Sequence, residues 1–259
     1  MSARAVEKAR IDELLNRRPA VGMAVGVVRN GSLAFCYEHG LADIASHTPV
    51  TEDTVFRIAA ITKTFTAIAV MQLWEQELLD LDACADDYLR GYRLLPSRAS
   101  FRPATVRHLL THTAGIAEVL HPYDLFRRLF GETVPLGRPV PSLHEYYGRG
   151  LRIQAEPGTR FAYTDHGFAT LGQIVEDVSG QPMDYYFREQ IFEPLRMADT
   201  DMIRSARVQS HLATGYGLRR VGGKPVTDYE MVPAAASSRV LHTQRHGSIP
   251  RGAPHRRKQ

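Results

Sequence analysis

The chain has 259 residues, a formal net charge of +4, 44% hydrophobic residues and 23% charged residues. This length and composition are ordinary for a water-soluble globular protein of one or two domains, and no stretch approaches the roughly 20 apolar residues of a membrane span. Two cysteines, Cys36 and Cys84, show no metal-binding spacing and are expected to be free, buried thiols.

The N-terminal part predicts a helix followed by a β-hairpin. Residues 2–15 form a charged, amphipathic segment that lacks the apolar run of a secretory signal peptide, which favours a cytoplasmic protein unless a leader lies outside this sequence. Val21–Val28 and Leu33–Tyr37 are two predicted strands. The Asn30-Gly31 pair between them is a strong hairpin signal.

A mainly helical region is predicted from about Thr62 to Met197, interrupted by a Pro/Gly-rich loop, Gly131–Pro141, that is expected to overhang the functional site. Further helices are expected over Gly167–Val178 and Asp184–Ile191, with glycine and proline between them marking a stop and a restart. The first helix repeats apolar residues at helical spacing: Phe65, Ile68, Ala69, Met71, Leu73 and Leu78.

Four segments carry the patterns of interest. In the stretch 56–66, Ala60 and Lys63 are three residues apart, which places them on one face of a helix. Taken alone, this stretch is also typical of a buried helix with a capping region. The other three segments are Leu109-Leu-Thr-His-Thr-Ala-Gly115, Glu156-Pro-Gly-Thr-Arg-Phe-Ala-Tyr-Thr-Asp-His-Gly-Phe168 and Glu193-Pro-Leu-Arg-Met-Ala-Asp-Thr200.

In this order the segments resemble the serine β-lactamase and penicillin-binding-protein superfamily, on the branch of class C β-lactamases, DD-peptidases and family VIII esterases. The resemblance runs from about Ala20 to about Ala236. It implies an α+β, β-lactamase/transpeptidase-like fold, with an antiparallel sheet flanked by helices and a helical domain. It also implies hydrolysis of a lactam, D-alanyl peptide or ester through an acyl-enzyme, with no cofactor and no metal.

The resemblance assigns roles to four positions. The family has Ser-x-x-Lys where this chain has Ala60 to Lys63, so the implied nucleophile is missing while the implied base, Lys63, is present. Tyr163 falls on the family's proton-transferring tyrosine. Asp165 falls on a substrate-binding asparagine, although an ionised aspartate only accepts hydrogen bonds. Thr62 lies on another side of the helix and is not expected to replace the serine.

Two histidines raise an alternative. His108 and His112 have the i, i+4 spacing of metal ligands, but the sequence shows no third ligand nearby and no His-Glu-x-x-His pattern. Structural histidines with satisfied ring nitrogens are the preferred interpretation.

The family's third signature, Lys or His followed two residues later by Gly, does not follow Tyr163 in a plausible place. The sheet is therefore expected to be incomplete because the C-terminal strands are missing, leaving the hairpin poorly supported. The predicted organisation is 1–60 for the N-terminal helix and hairpin, 61–200 for the mainly helical region, 201–238 for a return segment towards the sheet, and 239–259 for a tail.

The tail differs in composition from the rest of the chain. From Arg239 onward it has six Lys or Arg, three His and no acidic residue, so the remaining residues carry a formal charge of −2. Three interpretations stay open: an arm for nucleic acid or an acidic surface, a solvated disordered tail, and the product of a frameshift near residues 236–240. No nucleic-acid partner is expected, because the tail lacks aromatic residues for base stacking.

Three functions follow. The first is a member of this hydrolase family, inactive as written, with a small-molecule or peptide substrate. The second is a pseudo-enzyme that binds such a ligand without turnover, and the third is a non-catalytic binder acting through its basic tail. The sequence leaves open the substrate, the oligomeric state, and whether Ala60 is natural or introduced.

Overall fold

A computed structural model describes residues 3–120, 125–126, 132–148, 150–217, 224–237 and 241–242. Helix α1 (Ala3–Arg17) precedes a hairpin of β1 (Gly22–Arg29) and β2 (Ser32–Asp43). Asn30 and Gly31 form its turn, both with positive φ (52° and 75°). That conformation explains why this residue pair predicted the hairpin correctly.

The hairpin belongs to a small, three-stranded sheet. A third strand, β3 (Thr48–Pro49), pairs with β2 to give the order β1-β2-β3. No residue of β1 is buried, whereas two residues of β2, Tyr37 and Ala42, are. The short strand β4 (Phe56–Arg57) pairs with β9 (Leu241–His242). The rest of the predicted tail, 239–240 and 243–259, lies outside the described residues.

The helical region contains most of the hydrophobic core. Its long helices are α2 (Thr62–Glu75), which continues a 3₁₀ turn at Ala59–Ile61, and α5 (Asp165–Ser179). The shorter elements after α2 are a 3₁₀ turn at Ala85–Asp87, β5 (Leu94–Pro96), α3 (Val106–Leu110), β6 (Thr133–Pro135), α4 (Leu143–Tyr147), β7 (Leu151–Ile153), α6 (Met183–Phe187), a π-helical turn at Arg188–Phe192, α7 (Ala206–Gln209), β8 (Tyr229–Met231) and α8 (Ala234–Ser237).

Helix α5 is the centre of this region. It contacts α2, α3, α6 and α8, and it ends at Gly180, whose φ of 72° is typical of a helix C-terminus. Helix α8 packs closely against it: a Cβ added at Gly172 would lie 2.3 Å from the Cβ of Ala235. The predicted helix 167–178 is confirmed with wider bounds, and the next predicted helix is split into α6 and the π-helical turn.

The predicted apolar face of α2 is partly wrong. Ile68, Met71 and Leu78 are exposed by 37%, 39% and 50% of their surface. The buried face includes the polar side chains of Thr62, Lys63 and Thr66 beside Ala69, Val70 and Leu73. Helix α2 therefore packs against α5 and α8 with its polar side chains towards the interior, which apolar periodicity does not predict.

Two other expectations need correction. The predicted loop 131–141 contains strand β6, which pairs antiparallel with β8, while Gly131 is outside the described residues. Cys36 and Cys84 are free, as expected, but both are half-buried rather than buried. Within the described part of the chain, no helix has the length and apolar character needed to cross a bilayer.

Candidate functional site

Lys63 lies where three helices meet. Its side chain projects from the first turn of α2, and only 7% of the surface of the residue is exposed. The Nζ atom donates hydrogen bonds to Oδ1 of Asp165 in α5, at 2.5 Å, and to the carbonyl oxygen of Ala236 in α8, at 3.0 Å. The ammonium group is therefore held between an acidic side chain and a backbone carbonyl.

Tyr163 is on the solvent side of Lys63. The Lys63 Nζ atom lies 4.7 Å from the centroid of the Tyr163 ring, and the tyrosine is 46% exposed. The His112 ring also packs against Tyr163, with the two ring centroids 4.5 Å apart. The structure thus brings together the predicted lysine and tyrosine, which come from segments 100 residues apart in the sequence.

One ring nitrogen of each histidine in the predicted pair has a hydrogen-bond partner. His108 Nδ1 accepts a hydrogen bond from the backbone N–H of Thr105, and His112 Nδ1 accepts one from the backbone N–H of Thr164. Burial and the charge of Lys63 lower the pKa of His112. This favours the neutral ring, whose Nδ1 accepts the hydrogen bond from Thr164 N–H. His112 is therefore part of the wall behind Tyr163.

Ala60 is in the exposed 3₁₀ turn that leads into α2. The first backbone N–H of α2, that of Thr62, hydrogen bonds to the carbonyls of Ala59 and Ala60, so turn and helix are continuous. Ala59 has a φ of 45°, a conformation that costs a residue with a Cβ about 1–2 kcal/mol. Thr62 is fully buried, so its hydroxyl does not face the exposed turn.

Asp165 opens α5 directly after its N-cap residue, Thr164, whose side chain accepts a hydrogen bond from His166 N–H. The backbone N–H of Asp165 donates to Oε2 of Glu118 at 2.7 Å. Burial raises the pKa of Glu118, and the nearby Asp165 charge raises it further. One carboxylate oxygen from each of Glu118, Glu132 and Asp165 lies within 4.8 Å of the others.

His166 connects this group to a buried tyrosine. Its Nε2 lies 3.1 Å from the Glu118 carbonyl oxygen and 3.2 Å from Glu132 Oε1, and its Nδ1 lies 3.0 Å from the Tyr147 hydroxyl. Burial raises the pKa of Tyr147 well above its usual value, so this hydroxyl stays protonated. Carboxylates of this kind are also ligands for hard cations, but the cation in contact with Asp165 is Lys63.

Sequence reasoning missed four of these neighbours: Glu118, Glu132, His166 and Ala236. His166 directly follows Asp165 in the segment 156–168, so its position in the sequence indicated that it lies near the site. Glu118 and Glu132 stand in segments without a recognisable pattern, and Ala236 contributes only a backbone oxygen. Among the four predicted positions, Lys63 and Asp165 are in direct contact, Tyr163 borders them, and Ala60 lies at the start of the helix that carries Lys63.

Comparison with known proteins gives one family. The family model described as Beta-lactamase matches residues 8–248. Penicillin-binding protein 4 of Amycolatopsis lactamdurans is 28% identical over 246 residues, which cover 90% of this chain and 59% of that protein. Esterase EstB of Burkholderia gladioli is 31% identical over 196 residues, covering 74% of this chain and 50% of that protein.

A solved structure shows the same fold. The octameric penicillin-binding protein homologue from Pyrococcus abyssi superposes with a TM-score of 0.75 at 28% identity, covering 93% of this chain and 54% of that one. This agrees with the predicted β-lactamase/transpeptidase-like fold of mixed helix and strand. The chain spans about half of the length of these relatives.

Proposed function

The chain belongs to the beta-lactamase family, and we propose that it binds a small acyl compound or peptide at Lys63 and Tyr163 without forming the family's acyl-enzyme. The ligand classes are a lactam, a D-alanyl peptide or an ester, since the relatives include a penicillin-binding protein and an esterase. On this proposal, the protein is a non-catalytic member of a serine hydrolase family.

The observation that carries the proposal is the state of Lys63. Its Nζ atom donates to Asp165 and to the Ala236 carbonyl, while Ala60, three residues before it, carries only a methyl group. An acyl-enzyme needs an attacking oxygen and a base with a free lone pair. Ala60 lacks the first, and an ammonium that donates to two oxygens does not supply the second.

The family resemblance supplies the proposed roles. Position 60 is the place of the nucleophile, Lys63 the base and Tyr163 the partner that passes a proton to the leaving group, as the family resemblance implies. Asp165 is the residue that contacts the ligand. Loss of a nucleophile costs on the order of 10⁶ in turnover in a serine protease, so the remaining groups are expected to bind rather than convert a ligand.

Three chains test the proposal: the protein as it stands, Ala60→Ser, and Ala60→Ser combined with Asp165→Asn. Each is incubated with a fluorescent penicillin and with a p-nitrophenyl ester, and covalent labelling and ester hydrolysis are measured. We expect no labelling of the unchanged chain and little of Ala60→Ser. Stronger labelling is expected of the double variant, because the neutral asparagine side chain does not form the ion pair that Asp165 forms with Lys63.

A matched control adds a serine elsewhere on the same helix. Thr64 is exposed in α2, one residue after Lys63, and Thr64→Ser changes a hydroxyl-bearing side chain without restoring position 60. It should remain unlabelled. Covalent labelling of the unchanged chain would overturn the proposal. Its melting temperature is also measured with each compound, and no rise with either the penicillin or the ester would overturn the proposal as well.

A further inference from the structure

We propose that Asp165 determines which ligands this site accepts, favouring neutral acyl compounds such as esters and carboxamides over ligands that carry a carboxylate. This inference rests on the proposed function, because it concerns the same site. It adds a substrate class, set by charge, and it names the residue responsible.

The first step is the neutralisation of Lys63. A lysine ammonium close to a ligand is an attractive centre for a carboxylate. Here the Asp165 carboxylate lies 2.5 Å from that ammonium, and both side chains are largely buried, with exposures of 9% and 12%. An approaching anion therefore meets a closed ion pair instead of a single positive charge.

The second step concerns the charge of the side chains around the ion pair. Glu118 and Glu132 place one carboxylate oxygen each within 4.8 Å of the Asp165 carboxylate. Partly buried charges are screened by salt much less than surface charges. Burial is the largest cause of the raised pKa of Glu118; the Asp165 charge also raises it, while the Lys63 charge lowers it.

The third step is what remains for a neutral ligand. Tyr163 and Phe161 are exposed by 46% and 69% of their surface, and the His112 ring contacts both. Aromatic faces offer apolar contact area to the body of a ligand without requiring a charge. A neutral ester gains these contacts, whereas its carboxylate counterpart gains them and is repelled by Asp165.

The size of the effect follows from Coulomb's law. At an effective dielectric constant of about 20, repulsion from a like charge about 6 Å away weakens the binding of a ligand carboxylate roughly 100-fold relative to that of a neutral ligand. The Lys63 ammonium offsets part of the repulsion by Asp165, and relaxation of the site reduces it further, so a preference of at least about 10-fold for the neutral ligand is expected.

The experiment uses two ligands that differ in one charge: N-acetyl-D-alanyl-D-alanine and its methyl ester. Because the unchanged chain is proposed not to acylate, both dissociation constants are measured at equilibrium by calorimetry. The ester should bind at least 10-fold more tightly. In Asp165→Asn this ratio should fall by about 10-fold, and in Glu118→Gln by a smaller factor.

A control acid lies on the same helix as Lys63. Glu75 is the last residue of α2, exposed, and about 18 Å along the helix axis from Lys63, by 1.5 Å per residue. Glu75→Gln should leave the ratio unchanged. The Glu118→Gln variant also serves if Asp165→Asn fails to fold, because it removes a neighbouring charge and leaves the Lys63–Asp165 pair in place.

The outcomes separate the two proposals. Equal affinity of the unchanged chain for the acid and the ester, or tighter binding of the acid, overturns the charge preference while leaving the proposed binding function intact. A ratio that stays constant in both Asp165→Asn and Glu118→Gln overturns the role of Asp165. Failure of the unchanged chain to bind either ligand contradicts the proposed function, and this inference with it.

Discussion

The Lys63 ammonium and the Asp165 carboxylate form an ion pair of 2.5 Å between residues 102 positions apart in the chain. The pair joins the first turn of α2 to the first residue of α5, and the same Nζ atom reaches the backbone of α8 through Ala236. A buried ion pair contributes little to stability compared with apolar packing, but each member is costly to leave alone.

The pair therefore predicts a specific pattern of stability changes. Lys63→Met leaves the Asp165 carboxylate without its ammonium partner, and we expect a loss of about 3–5 kcal/mol in the free energy of unfolding. Asp165→Asn should cost less, because the asparagine oxygen still accepts a hydrogen bond from Lys63. Urea unfolding measures both changes.

The double variant, Lys63→Met with Asp165→Asn, tests the coupling. It leaves no unpaired charge in this pair, so its loss of stability should be smaller than the sum of the two single losses. Strict additivity of the three measured values would show that the two charges do not depend on each other in the folded protein.

Backbone conformation at the start of α2 gives a second prediction. Ala59 has a φ of 45°, which is unfavourable for a residue with a Cβ and easy for glycine. Ala59→Gly should raise the free energy of unfolding by about 0.5–1 kcal/mol, since the strain relieved exceeds the entropy that glycine adds to the unfolded chain.

A glycine elsewhere in the same helix is the control. Ala67 lies inside α2 in helical conformation, and Ala67→Gly should lower stability by about 1 kcal/mol. Thermal unfolding followed by circular dichroism measures the two variants side by side. A lower melting temperature for Ala59→Gly would mean that the turn before α2 is not strained at this residue.

The close contact between α5 and α8 gives a third prediction. A Cβ at Gly172 would lie 2.3 Å from the Cβ of Ala235, so Gly172→Ala should push α8 away from α5 at a cost of about 1–3 kcal/mol. Since α8 also carries the Ala236 carbonyl bound by Lys63, ligand-dependent stabilisation should weaken as well.

A control variant and a compensating double variant test whether this contact is the cause. Gly217→Ala adds a Cβ that would lie more than 4 Å from the described residues other than its chain neighbours, and it should change stability by less than about 0.5 kcal/mol. Combining Gly172→Ala with Ala235→Gly removes the clashing methyl group and should restore part of the loss, as urea unfolding would show. No recovery in the double variant would argue against this contact as the cause.

Acid sensitivity gives a fourth prediction, at Asp43 at the end of β2. Its carboxylate accepts hydrogen bonds from the Thr214 hydroxyl at 2.6 Å and from the backbone and side chain of Ser46, both at 2.8 Å. These bonds, with that of Thr214 contributing most, lower the pKa of Asp43 from 3.8 to about 2. The folded state thus holds this carboxylate in its ionised form.

The direction of the pH dependence follows from that shift. A carboxyl group with a lowered pKa stabilises the folded state fully above its unfolded value of 3.8, and this contribution is lost as the pH falls towards about 2. In Asp43→Asn, stability measured by urea unfolding should decline less between pH 4 and pH 2 than in the unchanged chain. Thr214→Val should show an intermediate slope, and identical slopes for all three chains would contradict this assignment.

Local signals predicted the elements that depend on local chemistry. The Asn30-Gly31 turn specified the hairpin, and the glycine at 180 marked the end of α5. The motif around Lys63 and Tyr163 also indicated that these two residues share a site. The apolar spacing in α2 did not predict its buried face, because Thr62 and Thr66 point inward and Met71 points outward.

The sequence by itself determined that position 60 has no hydroxyl, that Lys63 and Tyr163 are retained, and that an aspartate stands at 165. Only the tertiary structure decided how these charges are paired. Lys63 meets Asp165 and Ala236 across separations of 102 and 173 residues. Electrostatic pairing depends on distance in space and on burial, both of which are set by helix packing rather than by neighbours in the chain.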